Sequence, residues 1–201
     1  PDARPEAGGP APGAGTRDFR PDGPRCGLDL DAAGGATLIN GEERIAIPRV
    51  EREGAGIRFG FPHFESEIVL DAEGQGTWTK TKSGGRRESM PVELSERVPE
   101  NPAGSAVEGF LGTWRVRFAS DDRDSIGRFA LNEAGLVRGT FETETGDYRF
   151  LAGGLRDGEL RLSCFDGAHA FDFRARLQSD GTLTGTFRSG LRWRDTWTAR
   201  R

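Results

Sequence analysis

Two small groups of polar residues have side chains that could bind a ligand or transfer a proton. Asp166 and His169 lie three positions apart between apolar runs. Tyr148 and Arg149 follow a turn signal at Gly146. An aspartate beside a histidine can act as a general acid and base or contribute to a metal site. The alternative is that Asp166 and His169 bind turn backbone and cap the core.

His63 is the second histidine of the chain, and it continues the inward parity of Phe61. Side chains alternate across a strand, so His63 and His169 are both predicted to face a barrel mouth. Alignment of the two halves places His63 opposite Asp166 and Ser66 opposite His169, which predicts one polar pair at each mouth. The predicted ligand-binding residues are Asp166, His169, Tyr148, Arg149 and His63.

Catalytic motifs are missing from the sequence. Cys26 and Cys164 lie far apart, so they form neither a C-x-x-C pair for thiol exchange nor a four-ligand zinc set. An Asp and a His are fewer than the three protein ligands of a catalytic zinc ion. We therefore predict no catalytic residue, no metal and no cofactor. Both cysteines are in register with leucines and are predicted to be buried, and their pairing as a disulfide stays open.

Composition limits the classes of protein. The 201 residues include 30 Gly and 11 Pro, a share well above the average of roughly 12%, which indicates many turns. With 28 Lys and Arg against 32 Asp and Glu, the net charge of -4 argues against a nucleic-acid partner. The apolar runs are far shorter than the roughly 20 residues of a membrane-spanning helix, so no transmembrane segment is predicted.

The second half of the chain alternates apolar and charged residues with a period of two. This pattern is typical of antiparallel strands with one buried face. Gly-containing turn signals separate eight predicted strands, near 113–119, 125–131, 136–143, 147–152, 159–164, 168–177, 182–188 and 192–199. Eight short consecutive strands favour an up-and-down meander that closes into a small barrel and leaves no exposed edge.

The first half of the chain repeats features of the second. Three pairs of segments match: 40–45 with 145–150, 53–59 with 156–162, and 76–78 with 185–187. Self-similarity at a long spacing indicates a duplicated barrel. No clear opening strand precedes Cys26, so the first barrel is either open or takes an edge strand from its neighbour.

The first 25 residues contain six prolines, five glycines and a single large apolar side chain, Phe19. Such a segment buries little surface, which predicts a disordered tether. The predicted organisation is a tether at 1–25, a first barrel at 26–97, a linker at 98–108 and a second barrel at 109–201. The Pro/Ala/Gly-rich start resembles the stalk of an exported protein, so we expect a periplasmic or envelope location and a lipid anchor upstream of Pro1.

A tryptophan and an arginine mark the two ends of the second barrel. Gly112-Thr113-Trp114 opens it, and Trp197-Thr198-Ala199-Arg200 closes it. These segments resemble the G-x-W start and the late arginine of lipocalin- and avidin-like barrels. In those folds the arginine packs over the tryptophan at the closed end of the barrel. The resemblance implies an all-β fold of two tandem antiparallel calycin-like barrels and a structural role for Trp114.

A longer resemblance extends over roughly residues 35–200. The segments that support it are Leu38–Arg44, Gly76–Lys80, Gly139–Gly153 and Leu162–Phe171. Together they resemble the N-terminal β-rich region of bacterial TlpA-like thiol-disulfide oxidoreductases. In that family a thioredoxin-like domain with the redox cysteines usually follows. The resemblance implies a non-catalytic accessory module that positions or recruits a thioredoxin-like protein or domain.

The residues themselves leave a second function open, a small-ligand binding protein. In this alternative a small apolar ligand occupies a barrel mouth lined by Asp166, His169, Tyr148 and Arg149. An independent hydrolase is not favoured, because two histidines with these neighbours do not supply a nucleophile, a base and an orienting group.

Overall fold

Two nine-stranded antiparallel sheets make up the computed structural model, which describes residues 15–19, 26–96, 105–190 and 192–201. The strands of the first sheet are β1 (Gly15–Phe19), β2 (Cys26–Leu30), β3 (Ala36–Asn40), β4 (Glu43–Ala46), β5 (Arg49–Glu53), β6 (Gly56–Phe61), β7 (Ser66–Leu70), β8 (Gln75–Thr81) and β9 (Arg87–Glu96). Those of the second are β10 (Gly112–Phe118), β11 (Asp124–Leu131), β12 (Val137–Thr143), β13 (Gly146–Asp147), β14 (Leu151–Arg156), β15 (Glu159–Phe165), β16 (Ala170–Leu177), β17 (Leu183–Ser189) and β18 (Trp193–Arg200). Short 3-10 helices lie at Pro62–Phe64, Ser83–Gly85 and Ser105–Phe110.

The second sheet closes into an antiparallel barrel of eight strands. Each strand pairs with the next, β12 pairs directly with β14, and β10 pairs with both β11 and β18. The two-residue strand β13 lies at the end of β12, outside the ring. The predicted closed meander is confirmed, except that the strand expected at 147–152 begins only at Leu151. Regular pairing is interrupted between β13 and β14, so β14 begins later in the sequence than expected.

The first sheet has the same strand order but stays open. β1 lies between β2 and β9, just as β10 lies between β11 and β18. Strands β4 and β5 are the two edges of the sheet, and no backbone pairing joins them in the described part of the chain. Buried side chains from both halves of the sheet nevertheless share one core, so the sheet is rolled. We call this open, rolled sheet the first barrel and the closed second sheet the second barrel. The matched segments 53–59 and 156–162 lie in equivalent hairpins.

The tether prediction for residues 1–25 is wrong at Gly15–Phe19. These residues form β1 and pair along one side with β2 and along the other with β9. The backbone hydrogen bonds that hold β1 join it to β2 and β9, and β9 lies far away in the sequence, so the Pro- and Gly-rich surroundings of this segment gave no local signal for the strand. The other residues of 1–25 and residues 97–104 around the predicted linker lie outside the described residues, and Ser105–Phe110 is a 3-10 helix.

An arginine covers a tryptophan at one end of the second barrel. The indole N–H of Trp114 donates to the carbonyl oxygen of Phe110 at 2.8 Å, and the guanidinium of Arg201 lies 4.7 Å from the Trp114 ring centroid. Arg201 also donates to the carbonyl oxygens of Gly109 and Leu111. The arginine expected in this place, Arg200, is the neighbour of the one found. Arg200 lies on the outer face of β18, so the prediction is wrong by one residue.

Aromatic rings fill the interior of the second barrel. Phe173 stacks on Phe141 with centroids 4.4 Å apart and on Phe187 with centroids 4.3 Å apart. The rings of Phe118 and Trp197 meet Phe141 edge-on. The interior of this barrel is therefore a packed core.

Candidate functional site

The hairpin between β15 and β16 leaves the second barrel and enters the first. We call Phe165–Ala170 the insertion loop. Both of its end residues belong to the core of the first barrel, and the ring of Phe165 meets that of Trp78 edge-on at 5.6 Å. The carbonyl oxygen of Gly167 accepts hydrogen bonds from the Ser66 hydroxyl and, at 3.3 Å, from the Trp78 indole. The insertion loop thus joins the two barrels through a shared core.

Asp166 holds the insertion loop in shape. Its side chain is 3% exposed, and its carboxylate accepts hydrogen bonds from the backbone N–H of Ala168 at 2.8 Å and of His169 at 2.7 Å. Nδ1 of His169 lies 3.0 Å from the other carboxylate oxygen. Burial raises the pKa of Asp166, but the bonds from His169 and Ala168 outweigh it and leave the pKa below its ordinary value. This geometry is that of a carboxylate that binds turn backbone.

Arg149 lies between Asp166 and the first barrel. Its Nε is 4.0 Å from Oδ2 of Asp166, and its Nη2 is 3.8 Å from Oε1 of Glu43. The backbone of Arg149 is left-handed, with φ at 52°, which is uncommon for a residue with a side chain. The other carboxylate oxygen of Glu43 is buried without a hydrogen-bond partner. The structure therefore brings three predicted site residues, Arg149, Asp166 and His169, to the junction between the barrels.

Tyr148 lies at the mouth of the second barrel. Its half-buried ring meets Phe187 at 4.9 Å and Phe171 at 5.2 Å between centroids. Burial raises the pKa of the Tyr148 hydroxyl, and the carboxylates of Asp195 and Asp121 raise it further. The ring thus covers the aromatic core at the mouth, and a ligand there has access only to a shallow site.

His63 lies apart from this group. It is exposed, in the 3-10 helix Pro62–Phe64 that follows the end of β6. The inward orientation predicted for His63 is wrong, because the 3-10 turn interrupts the alternation of the strand. The strand registers also place Asp166 opposite Pro62 instead of opposite His63. His63 therefore does not occupy the repeat position of Asp166, and Ser66, its predicted partner at the first mouth, instead donates its hydroxyl to the carbonyl oxygen of Gly167.

Residues Tyr148–Phe150, which we call the bulge, connect β13 and β14. The backbone N–H of Tyr148 still donates to the carbonyl oxygen of Phe141 at 3.1 Å, and regular pairing with β12 resumes at Leu151. The side-chain amide of Asn40 donates a hydrogen bond of 2.6 Å to the carbonyl oxygen of Phe150 and fixes the bulge from the first barrel. The ring of Phe150 is 66% exposed. The sequence signals that could have indicated the bulge were the Gly146 turn and the break in alternation after it.

An outer groove runs beside the bulge on the face of β10–β12 and has a volume of about 690 Å³. Its floor is made of the outward residues of the β11–β12 ladder, in which Arg128 faces Thr140 and Ala130 faces Arg138. Its wall is made of Asp147, Arg149 and Phe150. Apart from Arg149, none of these residues belongs to the site predicted from the sequence.

Cys26 and Cys164 are buried thiols and are not joined by a disulfide. Burial, together with the nearby carboxylates of Asp166 and Glu43, raises the pKa of the Cys164 thiol to about 12. A thiol with such a pKa is almost entirely protonated near neutral pH and is a poor nucleophile. The described residues contain no group of three or more His, Cys, Asp and Glu side chains placed to hold a metal ion.

None of the helices in the described segments has the length and the apolar character needed to cross a membrane.

The fold defines an all-β protein that contains a closed eight-stranded antiparallel barrel. No family model and no curated protein matches this sequence. One solved structure that aligns with 92% of the chain is a protein of unknown function from the DUF3598 family of Nostoc punctiforme, 13% identical over 92% of its length, with a TM-score of 0.30. Another is a Bacteroides fragilis protein provisionally assigned to the outer membrane, 11% identical over 95% of its length and also aligned with 92% of this chain, with a TM-score of 0.28. Scores this low support no statement about fold or function.

Proposed function

We propose that this chain is a non-catalytic accessory module of an exported, TlpA-like thioredoxin system, and that its two tandem calycin-like barrels position or recruit a thioredoxin-like partner. The observation that supports this proposal is the insertion loop, which is held in shape by the buried carboxylate of Asp166 and joins the barrels through Phe165 and Gly167. The polar residues at the junction therefore have a structural role, and we place the contact with the partner on the outer surface.

Chemistry by the chain itself is disfavoured for physical reasons. The Asp166 carboxylate already accepts hydrogen bonds from two backbone groups, so it is poorly available to a substrate. The high pKa of Cys164 removes its thiolate at neutral pH. The interior of the second barrel is packed with aromatic rings, which leaves no room for a substrate between them.

Two exposed aromatic side chains offer a contact surface at one end of the second barrel. Phe150 precedes β14, and Trp193, which is 52% exposed, begins β18. These strands are four apart in an alternating meander, so they begin at the same end of the barrel. Large aromatic residues are enriched at protein interfaces and dominate their binding energy. The expected periplasmic or envelope location and the lipid anchor upstream of Pro1 belong to the same proposal.

The test uses a purified thioredoxin-like domain of a TlpA-like protein from the same organism and titration calorimetry with the whole chain. We expect saturable binding, and a loss of about tenfold or more in affinity in Trp193→Ser. The control is Leu131→Ser, which removes an exposed apolar side chain at the opposite end of the barrel and should leave binding unchanged. Insulin reduction by the chain alone, or equal effects of both variants, would refute the proposal.

A second candidate is a small-ligand binding protein that uses the barrel mouth, and one observation favours it. The rings of Tyr148 and Phe171 are only partly buried there, and the His169 side chain is 41% exposed. A small apolar ligand could add one more layer to this stack. Native mass spectrometry of the protein from its own envelope fraction should then show a bound mass of a few hundred daltons that is absent in Tyr148→Ala. A bare wild-type chain in that spectrum excludes this candidate.

A further inference from the structure

We propose that the outer groove binds a small anionic amphiphile, a molecule with an apolar body and a single carboxylate or sulfonate group. The site lies on the outside of the second barrel and is distinct from both its mouth and its interior. The volume of about 690 Å³ falls within the range of roughly 300–1,000 Å³ that is usual for small-molecule sites.

Positive charge surrounds the groove. Three arginines line it, against one carboxylate, that of Asp147. Arg128 is paired with Glu142, with Nε 2.6 Å from Oε1. Arg138 is exposed and has no ion-pair partner among the described residues, whereas the guanidinium of Arg149 lies 3.8 Å from Glu43 and 4.0 Å from Asp166. The guanidinium of Arg138 is therefore the one available to an anion, because guanidinium groups bind carboxylates and sulfonates through paired N–H donors.

The register of the floor leaves space beside the arginines. On the β11–β12 ladder each arginine faces a small side chain, Arg128 with Thr140 and Arg138 with Ala130. A long side chain opposite a short one can lie along the sheet and expose its aliphatic stem to a ligand. Such a floor has apolar stems at its centre and charged heads at its edges, which matches an amphiphile.

The apolar wall of the groove is preorganised. Phe150 has a large exposed ring, and its backbone is fixed by the hydrogen bond from Asn40, which is 2% exposed. A ring presented on a fixed backbone loses less conformational freedom when a ligand packs on it. The Phe150 ring is therefore the side of the site that would contact the apolar body.

The floor also contains an unused polar group. The hydroxyl of Thr140 is buried and has no hydrogen-bond partner. Thr140 lines the groove, so an oxygen of the ligand head group that accepts the proton of this hydroxyl would give it the partner it lacks. An unpaired buried hydroxyl is costly, so a ligand that pairs it gains affinity.

The experiment compares two fluorescent probes with the same ring system on the full chain. One is 8-anilinonaphthalene-1-sulfonate, and the other is the uncharged N-phenyl-1-naphthylamine. In Arg138→Gln we expect the sulfonate probe to bind about five- to tenfold more weakly and the uncharged probe to bind unchanged. Phe150→Ser should lower the affinity for both probes, because both pack on the ring of Phe150.

The matched controls are Arg194→Gln and Trp193→Ser, which change an exposed arginine and an exposed aromatic residue outside the groove. Both should leave the two affinities unchanged. In the wild-type chain, added salt should lower the affinity for the sulfonate probe but not for the uncharged one, because salt screens the interaction of the charged head group with the arginines. The proposal is overturned if the sulfonate probe does not saturate, or if Arg194→Gln weakens it as much as Arg138→Gln. Partner binding is tested separately through Trp193, so either proposal can fail without the other.

Discussion

The side chain of Asn40 in the first barrel donates a hydrogen bond of 2.6 Å to the carbonyl oxygen of Phe150 in the second, across 110 positions of sequence. In Asn40→Ala the carbonyl loses this donor in a part-buried site. We expect the free energy of unfolding to fall by about 1–3 kcal/mol, as urea denaturation would measure. Proteolysis of the native protein within the bulge should also become faster, because the bulge has lost its anchor.

Asn132→Ala is the control for this prediction. The side chain of Asn132 accepts a hydrogen bond from the backbone of Leu136 within its own turn. Its loss should lower stability without any effect on cleavage at the bulge. If both variants speed cleavage there equally, Asn40 does not anchor the bulge.

Two adjacent arginines at the end of the chain should differ in their contribution to stability. Arg201 lies over Trp114 and donates to the carbonyl oxygens of Gly109, in the 3-10 helix, and Leu111, just after it, while Arg200 is exposed on the outer face. Arg201→Ala should lower the free energy of unfolding by about 1–2 kcal/mol. Arg200→Ala should change it by less than about 0.5 kcal/mol. Equal midpoints of urea unfolding for the two variants would contradict the structural role of Arg201.

Gly167 and Gly181 have nearly the same backbone conformation, with φ at 86° and 81°, but different surroundings. A Cβ atom at Gly167 would overlap the ring of Phe61. At Gly181 no neighbouring heavy atom lies within 4 Å of the position that a Cβ atom would take. Gly181→Ala should lower the free energy of unfolding by about 1–2 kcal/mol, because alanine is strained in the left-handed backbone conformation. Alanine at Gly167 should cost about 1–3 kcal/mol more, because the insertion loop must shift. Urea unfolding of the two variants measures the difference, and equal losses would show that the loop is not tightly packed.

Stability below neutral pH should depend on Asp166. Its pKa is lower in the folded chain than in the unfolded chain, so its ionised form favours folding. This contribution is complete above about pH 5 and is lost as the pH falls through the folded pKa. Asp166→Asn should lower the free energy of unfolding at pH 7 by about 1–3 kcal/mol, and its difference from the wild type should shrink towards pH 3.

Asp180 provides the comparison for this pH effect. It also binds its own turn, through the hydroxyl and N–H of Thr182, and its pKa is lowered by those bonds, but it is exposed. Asp180→Asn should therefore have a smaller effect than Asp166→Asn at every pH. Urea midpoints measured from pH 3 to pH 7 provide the test, and a pH-independent difference for Asp166→Asn would contradict the assignment.

Much of the second barrel could be predicted because its signals are local. The strand β15 shows a clear period of two, and the turn before it contains Asp157 and Gly158, both with positive φ. Such a pair favours the tight hairpin turn that matches the strand twist. The late start of β14 was missed. The Gly146 turn and the break in alternation mark the place, but the hydrogen bond from Asn40 that fixes the bulge joins residues 110 positions apart.

The sequence by itself determined an all-β chain, the closed eight-strand meander and the two buried cysteines, because alternation and turn residues act over a few positions. Only the tertiary structure decided that β1 completes the first sheet, that the insertion loop joins the barrels and that Arg201 covers Trp114. It also decided the place of Asp166, which the sequence indicated as a mouth residue and the fold buries at the junction. These features depend on contacts between residues far apart in the chain, whose geometry exists only once both barrels have formed.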